Sequence, residues 1–322
     1  MQIKFTMLVV GLLSLLGLSY YKLQKVKQES DNVKVTIEIK SKLGEGSFWD
    51  HQNQKLFWID IEGKTVYVYD PETKKNKAFY TPSRVGTVVP KNNEEAVIAL
   101  EDGIYLINTN NGNLSLLSDV EAELTGNRFN DGKCDPNGNL WVGSMHLEQS
   151  APEANLYKVD AKGTATKMLD SVTISNGIVW TDDKKTMYYI DTPTGMIRAF
   201  DYDANSSTIS NERIVVYIDE SIGFGDGMAI DSEDKLWVAL WNGNAVARFD
   251  PLTGKLMEKI NVPAHNVTSC AFGGENFETL YITTSSLDMT QKEKEKFPLA
   301  GSLFEVRPGV KGVAGNFFSQ KR

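Results

Sequence analysis

The chain has 322 residues, of which 41% are hydrophobic and 24% are charged, so it is long and apolar enough to build a sizeable core. Its formal net charge of −8 argues against nucleic acid as a main partner, because phosphate binding needs a basic surface. Its two cysteines, Cys134 and Cys270, lack zinc-finger spacing and predict buried free thiols, with one disulfide as the alternative.

Residues 1–32 differ in composition from the rest of the chain. Residues 7–21 are an unbroken run of apolar and small side chains with lysines on both sides. The run is short for a membrane-spanning helix and lacks a clean cleavage site, so it predicts either a signal peptide or an N-terminal membrane anchor. We therefore expect a secreted or membrane-anchored protein rather than a cytoplasmic one. Candidate glycosylation sites are Asn113, Asn205 and Asn266.

From residue 33 onward, short apolar strands alternate with polar turns. Residues 33–40 show the alternation of a half-buried strand, and only residues 289–297 suggest a helix or a charged turn. A unit of strand, turn, strand and polar turn then recurs at intervals of roughly 40 to 50 residues, which is typical of propeller blades. The units begin at Lys55, Ala96, Asn139, Thr186, Lys235 and Thr279.

This period predicts an all-β fold, a six-bladed β-propeller over residues 33–322. A single blade would expose an apolar sheet face, so the blades must pack side by side and close into a ring. We expect residues 33–40 to close the ring by pairing with the last unit, and we expect a monomer. A pair of open β-sandwiches is the alternative, but sandwiches rarely show so even a period.

Four segments place polar side chains beside glycine just before an apolar strand. They are residues 44–50, 127–145, 174–180 and 223–231. Each is predicted to begin one of a series of successive blades, and the glycines would let the backbone approach a ligand closely. Because the innermost strands of a propeller line its axis, one polar side chain from each segment should converge at one mouth of the channel. These side chains are Glu45, Asn130, Asn176 and Asp226.

Carboxylate and amide oxygens around one point form a site that suits Ca²⁺, Mg²⁺ or Mn²⁺. Zn²⁺ stays open as a fourth ion, although none of the histidines has metal-ligand spacing. Turns without a ligand are the alternative for any one Asn-Gly or Asp-Gly pair. The chain contains no GxSxG, GxGxxG or P-loop sequence, so serine-hydrolase and nucleotide chemistry lack support.

Several motifs occur in a familiar order, among them NRFNDGK, SNGI, GDGMAID and TSCAFGG. Together they resemble the senescence-marker-30/gluconolactonase/luciferin-regenerating-enzyme family, most closely animal regucalcins and their insect relatives. The resemblance runs from Ser41 to the GVKG turn at residues 309–312. It implies a six-bladed propeller that holds one divalent metal ion on its axis. It also implies that the protein hydrolyses a small sugar lactone. The N-terminal apolar segment departs from cytosolic regucalcins, and it disfavours a cytosolic role in calcium handling.

The resemblance also implies roles for individual residues. The family's metal ligands match Glu45, Asn176 and Asp226, and its substrate-binding residues match Arg128, Asn130 and, without an intervening gap, Glu148. Asp226 would also take a proton from the attacking water. The alternatives are an organophosphate or ester hydrolase on the same site, a calcium-binding regulatory protein without turnover, and a scaffold for protein partners.

Overall fold

Short apolar strands joined by polar turns form six antiparallel sheets of four strands each within residues 33–320, the part of the chain that this computed structural model describes. The sheets are the blades of a propeller, so the predicted fold is confirmed. The predicted N-terminal signal or anchor, including residues 7–21, lies outside the described residues.

Each of blades 1 to 5 uses four strands that follow one another along the chain. Blade 1 contains β2 (Gly44–Asp50), β3 (Lys55–Asp60), β4 (Thr65–Asp70) and β5 (Lys75–Tyr80). Blade 2 contains β6 (Val85–Pro90), β7 (Glu95–Leu100), β8 (Gly103–Asn108) and β9 (Leu114–Ser118). Blade 3 contains β10 (Asn127–Cys134), β11 (Leu140–His146), β12 (Ala154–Val159) and β13 (Ala165–Val172). Blade 4 contains β14 (Ser175–Trp180), β15 (Thr186–Asp191), β16 (Met196–Asp203) and β17 (Thr208–Tyr217). Blade 5 contains β18 (Phe224–Ile230), β19 (Leu236–Trp241), β20 (Ala245–Asp250) and β21 (Lys255–Asn261).

Blade 6 closes the ring with strands from both ends of the described chain. It contains β22 (Asn266–Gly273), β23 (Thr279–Ser285), β24 (Leu303–Val306) and β1 (Lys34–Ile37). β1 runs antiparallel to β24, with Lys34 opposite Glu305, and Thr36 Oγ1 donates a hydrogen bond of 3.0 Å to Glu305 Oε2. The predicted closure is confirmed.

Within residues 33–320, helical structure is confined to short segments. The helix α1 (Gln291–Lys296) lies within the predicted residues 289–297, and a capping box between Thr290 and Glu293 fixes its first turn. Two 3-10 turns cover Thr192–Thr194 and Glu220–Ile222. In the described part of the chain, no helix has the length and apolar character needed to cross a membrane.

Burial falls from the axis outward. Every residue of the innermost strands β2, β6, β14 and β22 is buried, whereas most residues of the outermost strands β5 and β17 are not. Cys134 and Cys270 are both buried and free, so the prediction of two thiols is confirmed. Asn266 is only 1% exposed and its Nδ2 donates to Leu287 O, so the folded chain cannot be glycosylated there.

A buried aspartate anchors the turn between the first two strands of blade 5. Asp231 is fully buried and accepts hydrogen bonds from Trp237 Nε1 at 2.9 Å and from Arg248 Nε at 2.8 Å. Asp135 accepts from Trp141 Nε1 at 2.9 Å at the corresponding turn of blade 3. A polar turn therefore binds an indole that itself lies in the core, which ties the surface turn to the packing of the blade.

We expect Asp231→Ala to lower the free energy of unfolding by about 3 kcal/mol, because it leaves the Trp237 indole N–H and part of the Arg248 guanidinium buried without a partner. Urea unfolding followed by tryptophan fluorescence measures the change. Asp201→Ala is the control, because its 2.7 Å ion pair with Arg213 is half exposed and should leave the unfolding midpoint nearly unchanged. Equal losses in the two variants would contradict the special role of the buried turn.

Candidate active site

The innermost strands lose their regular pairing at one common level. Each has a shift in register against its neighbour. The shifts fall at residues 45–48, 85–87, 129–132, 175–178, 225–228 and 267–269. A bulge inserts an extra residue and changes the direction of neighbouring side chains. The polar residues of the motifs lie in or beside these bulges, where strict alternation of faces no longer applies.

A cavity of about 210 Å³ opens at this end of the channel. Its lining brings together residues that are far apart in sequence, namely Glu45, Arg128, Asn130, Asn176 and Asp226. They come from the innermost strands of blades 1, 3, 4 and 5. The four motifs therefore do not begin four successive blades, since blade 2 lies between the first two motifs and supplies no lining residue.

Two carboxyl groups meet in this cavity. Glu45 and Asp226 are each 6% exposed, and their side chains are in hydrogen-bonding contact. Burial, reinforced by the charge of Asp131, raises the pKa of Glu45 to about 8. Burial and the neighbouring Glu45 likewise raise the pKa of Asp226 well above its usual range. Two carboxyl groups so close together need a shared proton or a cation between them.

The amide of Asn176 is held in one orientation. Thr192 Oγ1 donates to Gly225 O at 2.7 Å, so its hydroxyl hydrogen is already used. The same oxygen accepts a 2.8 Å hydrogen bond from Asn176 Nδ2. The Asn176 Oδ1 atom is thereby turned to the opposite side, where it also accepts a 3.2 Å hydrogen bond from Asn130 Nδ2. Thr192 lines the cavity as well, and sequence reasoning did not single it out.

Arg128 places a buried positive charge beside the carboxyl groups. Its Nη1 donates to Asn130 Oδ1 at 2.7 Å and to Phe129 O at 3.0 Å. Asn130 Nδ2 donates in turn to Ser175 O at 2.7 Å, so the pair is fixed to blade 4. Burial lowers the pKa of Arg128 to about 10, which still leaves the guanidinium charged at neutral pH.

The donor set fits a hard divalent cation. Glu45, Asp226 and the oriented Asn176 Oδ1 supply oxygen atoms only, which suits Ca²⁺, Mg²⁺ or Mn²⁺ better than Zn²⁺. Within residues 33–320 there is no cluster of three or more His, Cys, Asp or Glu side chains that could hold a metal, so an amide must complete the set. Asp131 Oδ2 is buried without a hydrogen-bond partner and adds to the local excess of negative charge.

The structure places Glu148 away from the other predicted site residues. It lies in an exposed loop after β11 and does not line the cavity, whereas the next residue, Gln149, does. The positions of loop side chains depend on the path of the loop, and motif spacing alone cannot determine that path.

The glycines beside Asn176 and Asp226 serve the contact between blades. A Cβ atom at Gly177 would lie 2.6 Å from Met228 Cβ and 2.8 Å from Asp226 O. A Cβ atom at Gly227 would lie 2.7 Å from Ser269 Oγ. Both distances are too short for a side chain, so these glycines let neighbouring innermost strands approach each other. The expectation that these glycines also let the backbone approach a ligand stays a prediction.

Residues 43–286 match the family model described as SMP-30/Gluconolactonase/LRE-like region. The "Putative sugar lactone lactonase YvrE" of Bacillus subtilis (strain 168) is 40% identical over 265 residues, which cover 82% of this chain and 91% of that protein. The regucalcin of Danio rerio is 37% identical over 287 residues, which cover 88% of this chain and 97% of the relative. Bacterial and vertebrate relatives are thus similarly distant, so a specifically animal or insect type is not distinguished.

A solved structure supports the same grouping. The crystal structure titled as a calcium-binding protein, regucalcin, from Agrobacterium tumefaciens str. C58 matches with a TM-score of 0.84 and 27% identity. The match covers 88% of this chain and 96% of the other.

We expect Thr192→Val to weaken divalent-cation binding by about 10- to 100-fold, because the valine cannot hold the Asn176 amide in its orientation. Isothermal titration with Ca²⁺ and Mn²⁺ measures the affinity. Thr194→Val is the matched control in the same 3-10 turn, where the hydroxyl donates to Asp191 O at 2.6 Å away from the donor set. Equal affinities for the Thr192→Val protein and the wild type would argue against Asn176 as a ligand.

Proposed function

Because the chain belongs to the SMP-30/gluconolactonase/LRE-like family, we propose that it is a metal-dependent hydrolase that opens a small sugar lactone. The observation that carries the proposal is the contact of two buried carboxyl groups, Glu45 and Asp226, beside the oriented amide oxygen of Asn176. Such a group of buried oxygen atoms is costly to the fold unless it binds a cation or moves a proton.

Glu45, Asn176 and Asp226 would hold the ion. When bound, a divalent ion supplies Lewis-acid polarisation of the lactone carbonyl and makes water at the site more acidic. Asp226 would take a proton from the attacking water, because its carboxyl group lies in the cavity and its burial makes the ionised carboxylate a stronger base, which a bound cation would keep ionised until that step.

Arg128 and Asn130 would orient the substrate. Their mutual hydrogen bond and the bond from Asn130 to Ser175 O fix both side chains at one wall of the cavity. The guanidinium would stabilise the negative charge that develops on the ester oxygens as the ring opens. Fixed partners lower the cost of ordering these groups around the substrate.

Two further functions share the same site. Calcium binding without turnover is the second candidate, because the matching Agrobacterium tumefaciens structure is titled a calcium-binding protein. Hydrolysis of an organophosphate or another ester is a variant of lactone hydrolysis, because the oxygen donors alone do not determine whether an acyl or a phosphoryl group is attacked. Tight Ca²⁺ binding without hydrolysis of any lactone would favour the regulatory function.

We expect Asp226→Asn to keep the fold and to lower kcat/KM for δ-gluconolactone by at least about a hundredfold, because the amide cannot accept the proton. Acid release is followed with Ca²⁺, Mn²⁺, Mg²⁺ or Zn²⁺, with and without chelator, and circular dichroism checks the fold. Asp170→Asn on the exposed face of β13 is the control and should behave as the wild type. Full activity of the Asp226→Asn protein would remove Asp226 from the mechanism.

We also propose that residues 1–32 direct the chain out of the cytoplasm, on the basis of the apolar run at residues 7–21. The mature protein from its native host should either lack residues 1 to about 21 or sediment with membranes. Mass spectrometry of the N-terminal peptide in each cell fraction tests this. An intact N-terminus in the soluble cytosolic fraction would contradict it.

A further inference from the structure

The cavity of the candidate site has two chemically different sides. Large apolar side chains at the ends of strands in blades 5, 6 and 1 form one side, which we call the apolar arc. Its members are Leu43, Ile61, Phe224, Trp241 and Leu287. These three blades are neighbours in the ring, so the apolar side chains occupy one continuous sector of the mouth.

Direct contacts make the apolar arc continuous. Phe224 and Trp241 are register partners at the ends of β18 and β19. Ile61 N donates a 2.9 Å hydrogen bond to Leu43 O, which joins the two members from blade 1. Trp241 and Leu287 pack against the hydrophobic cluster that contains Leu43 and Ile61. The sector is therefore one surface assembled from three blades.

Part of this surface remains accessible from the cavity. Phe224, Trp241 and Leu287 are only half buried, although each lines a concave pocket rather than the outer surface. Leu287 is also held in place, because Asn266 Nδ2 donates to its carbonyl at 3.1 Å. Apolar carbon of these side chains therefore faces the cavity, and a bound apolar group would remove it from solvent.

The opposite side of the mouth is mainly polar, with the half-buried Ile174 as its accessible apolar member. Blade 3 stands three positions from blade 6 in the ring and contributes Arg128, Asn130 and Gln149 to the lining, with Met145 buried among them. The charged residues of the lining on the side of the apolar arc are the exposed Asp288 and the buried Glu45 and Asp226, which come from blades 1 and 5. A molecule that fits this cavity should have a polar edge and an apolar edge.

We propose that the substrate is an amphipathic lactone, with ring oxygens that face Arg128 and Asn130 and an alkyl or aryl substituent that lies on the apolar arc. This inference rests on the proposed lactone hydrolysis, and it replaces the sugar lactone proposed above with an amphipathic lactone. A fully hydroxylated sugar lactone would place hydroxyl groups against the apolar arc. Those hydroxyl groups would lose their hydrogen bonds to water without gaining new ones.

Three δ-lactones of known hydroxylation and chain length test the proposal. Wild-type protein with Ca²⁺ or Mn²⁺ should hydrolyse δ-decalactone, which carries a pentyl chain, with a kcat/KM at least about tenfold above that for unsubstituted δ-valerolactone. Glucono-δ-lactone should also fall below δ-decalactone. Equal values for the two alkyl-series lactones would overturn the proposal, and preference for glucono-δ-lactone would assign the cavity to sugars.

Substitutions in the apolar arc test whether this surface causes the preference for an alkyl substituent. Trp241→Gln and Leu287→Gln should each lower the ratio of kcat/KM for δ-decalactone over δ-valerolactone several-fold. Leu252→Gln is the control, because Leu252 is 85% exposed on the turn between β20 and β21, and it should leave the ratio unchanged. An unchanged ratio in both cavity variants would show that the apolar arc does not hold the substituent.

Binding of the corresponding lactams separates this proposal from the proposed function. Calorimetry should give 6-pentyl-2-piperidinone a Kd at least about tenfold below that of 2-piperidinone. If no lactone is hydrolysed with any of the metal ions, lactone hydrolysis is wrong, and the lactam ratio still decides whether the apolar arc binds an alkyl group. Equal lactam affinities together with active hydrolysis would overturn only the amphipathic substrate.

Discussion

The fold depends on one geometric constraint, which is that no blade can bury both faces of its own sheet. Each blade has to pack against two neighbours, and the pairing of β1 with β24 completes the sixth blade by bringing the start of the described chain to its end. Closure forces the innermost strands onto a common axis. Every residue of several of these strands is buried, so their polar groups depend on partners inside the protein.

That constraint explains why charged groups tolerate such a buried position. Burying a carboxylate costs several kcal/mol unless a proton, a cation or a hydrogen bond compensates it. The bulges at the common level turn Glu45 and Asp226 toward each other, and Thr192 and Arg128 fix the amides between them. The closed ring therefore keeps the two carboxyl groups in contact.

Residues within the innermost strands and residues just beyond the strand ends form different parts of the site. The motif residues sit near the axis and define a polar centre, whereas the residues just beyond the strand ends surround it and determine its shape. Leu43, Ile61 and Leu287 belong to the second group, as does the polar Gln149. Gln149 is exposed and Leu287 is only half buried, so the packing of the blades constrains this part of the mouth less than it constrains the polar centre.

The sequence by itself determined the ring, the free thiols and the residues of the polar centre. These features follow from local rules: strands alternate with turns at an even period, and polar residues beside glycine mark the innermost strands. Only the tertiary structure decided that Thr192 orients Asn176, that Gln149 rather than Glu148 lines the cavity, and that Gly177 and Gly227 serve contacts between blades. It also decided that Asn266 is buried and that an apolar sector faces a polar one. The physical reason is that these properties depend on contacts between separate blades and on the paths of loops. Contacts between blades and loop paths produce no periodic pattern in the sequence.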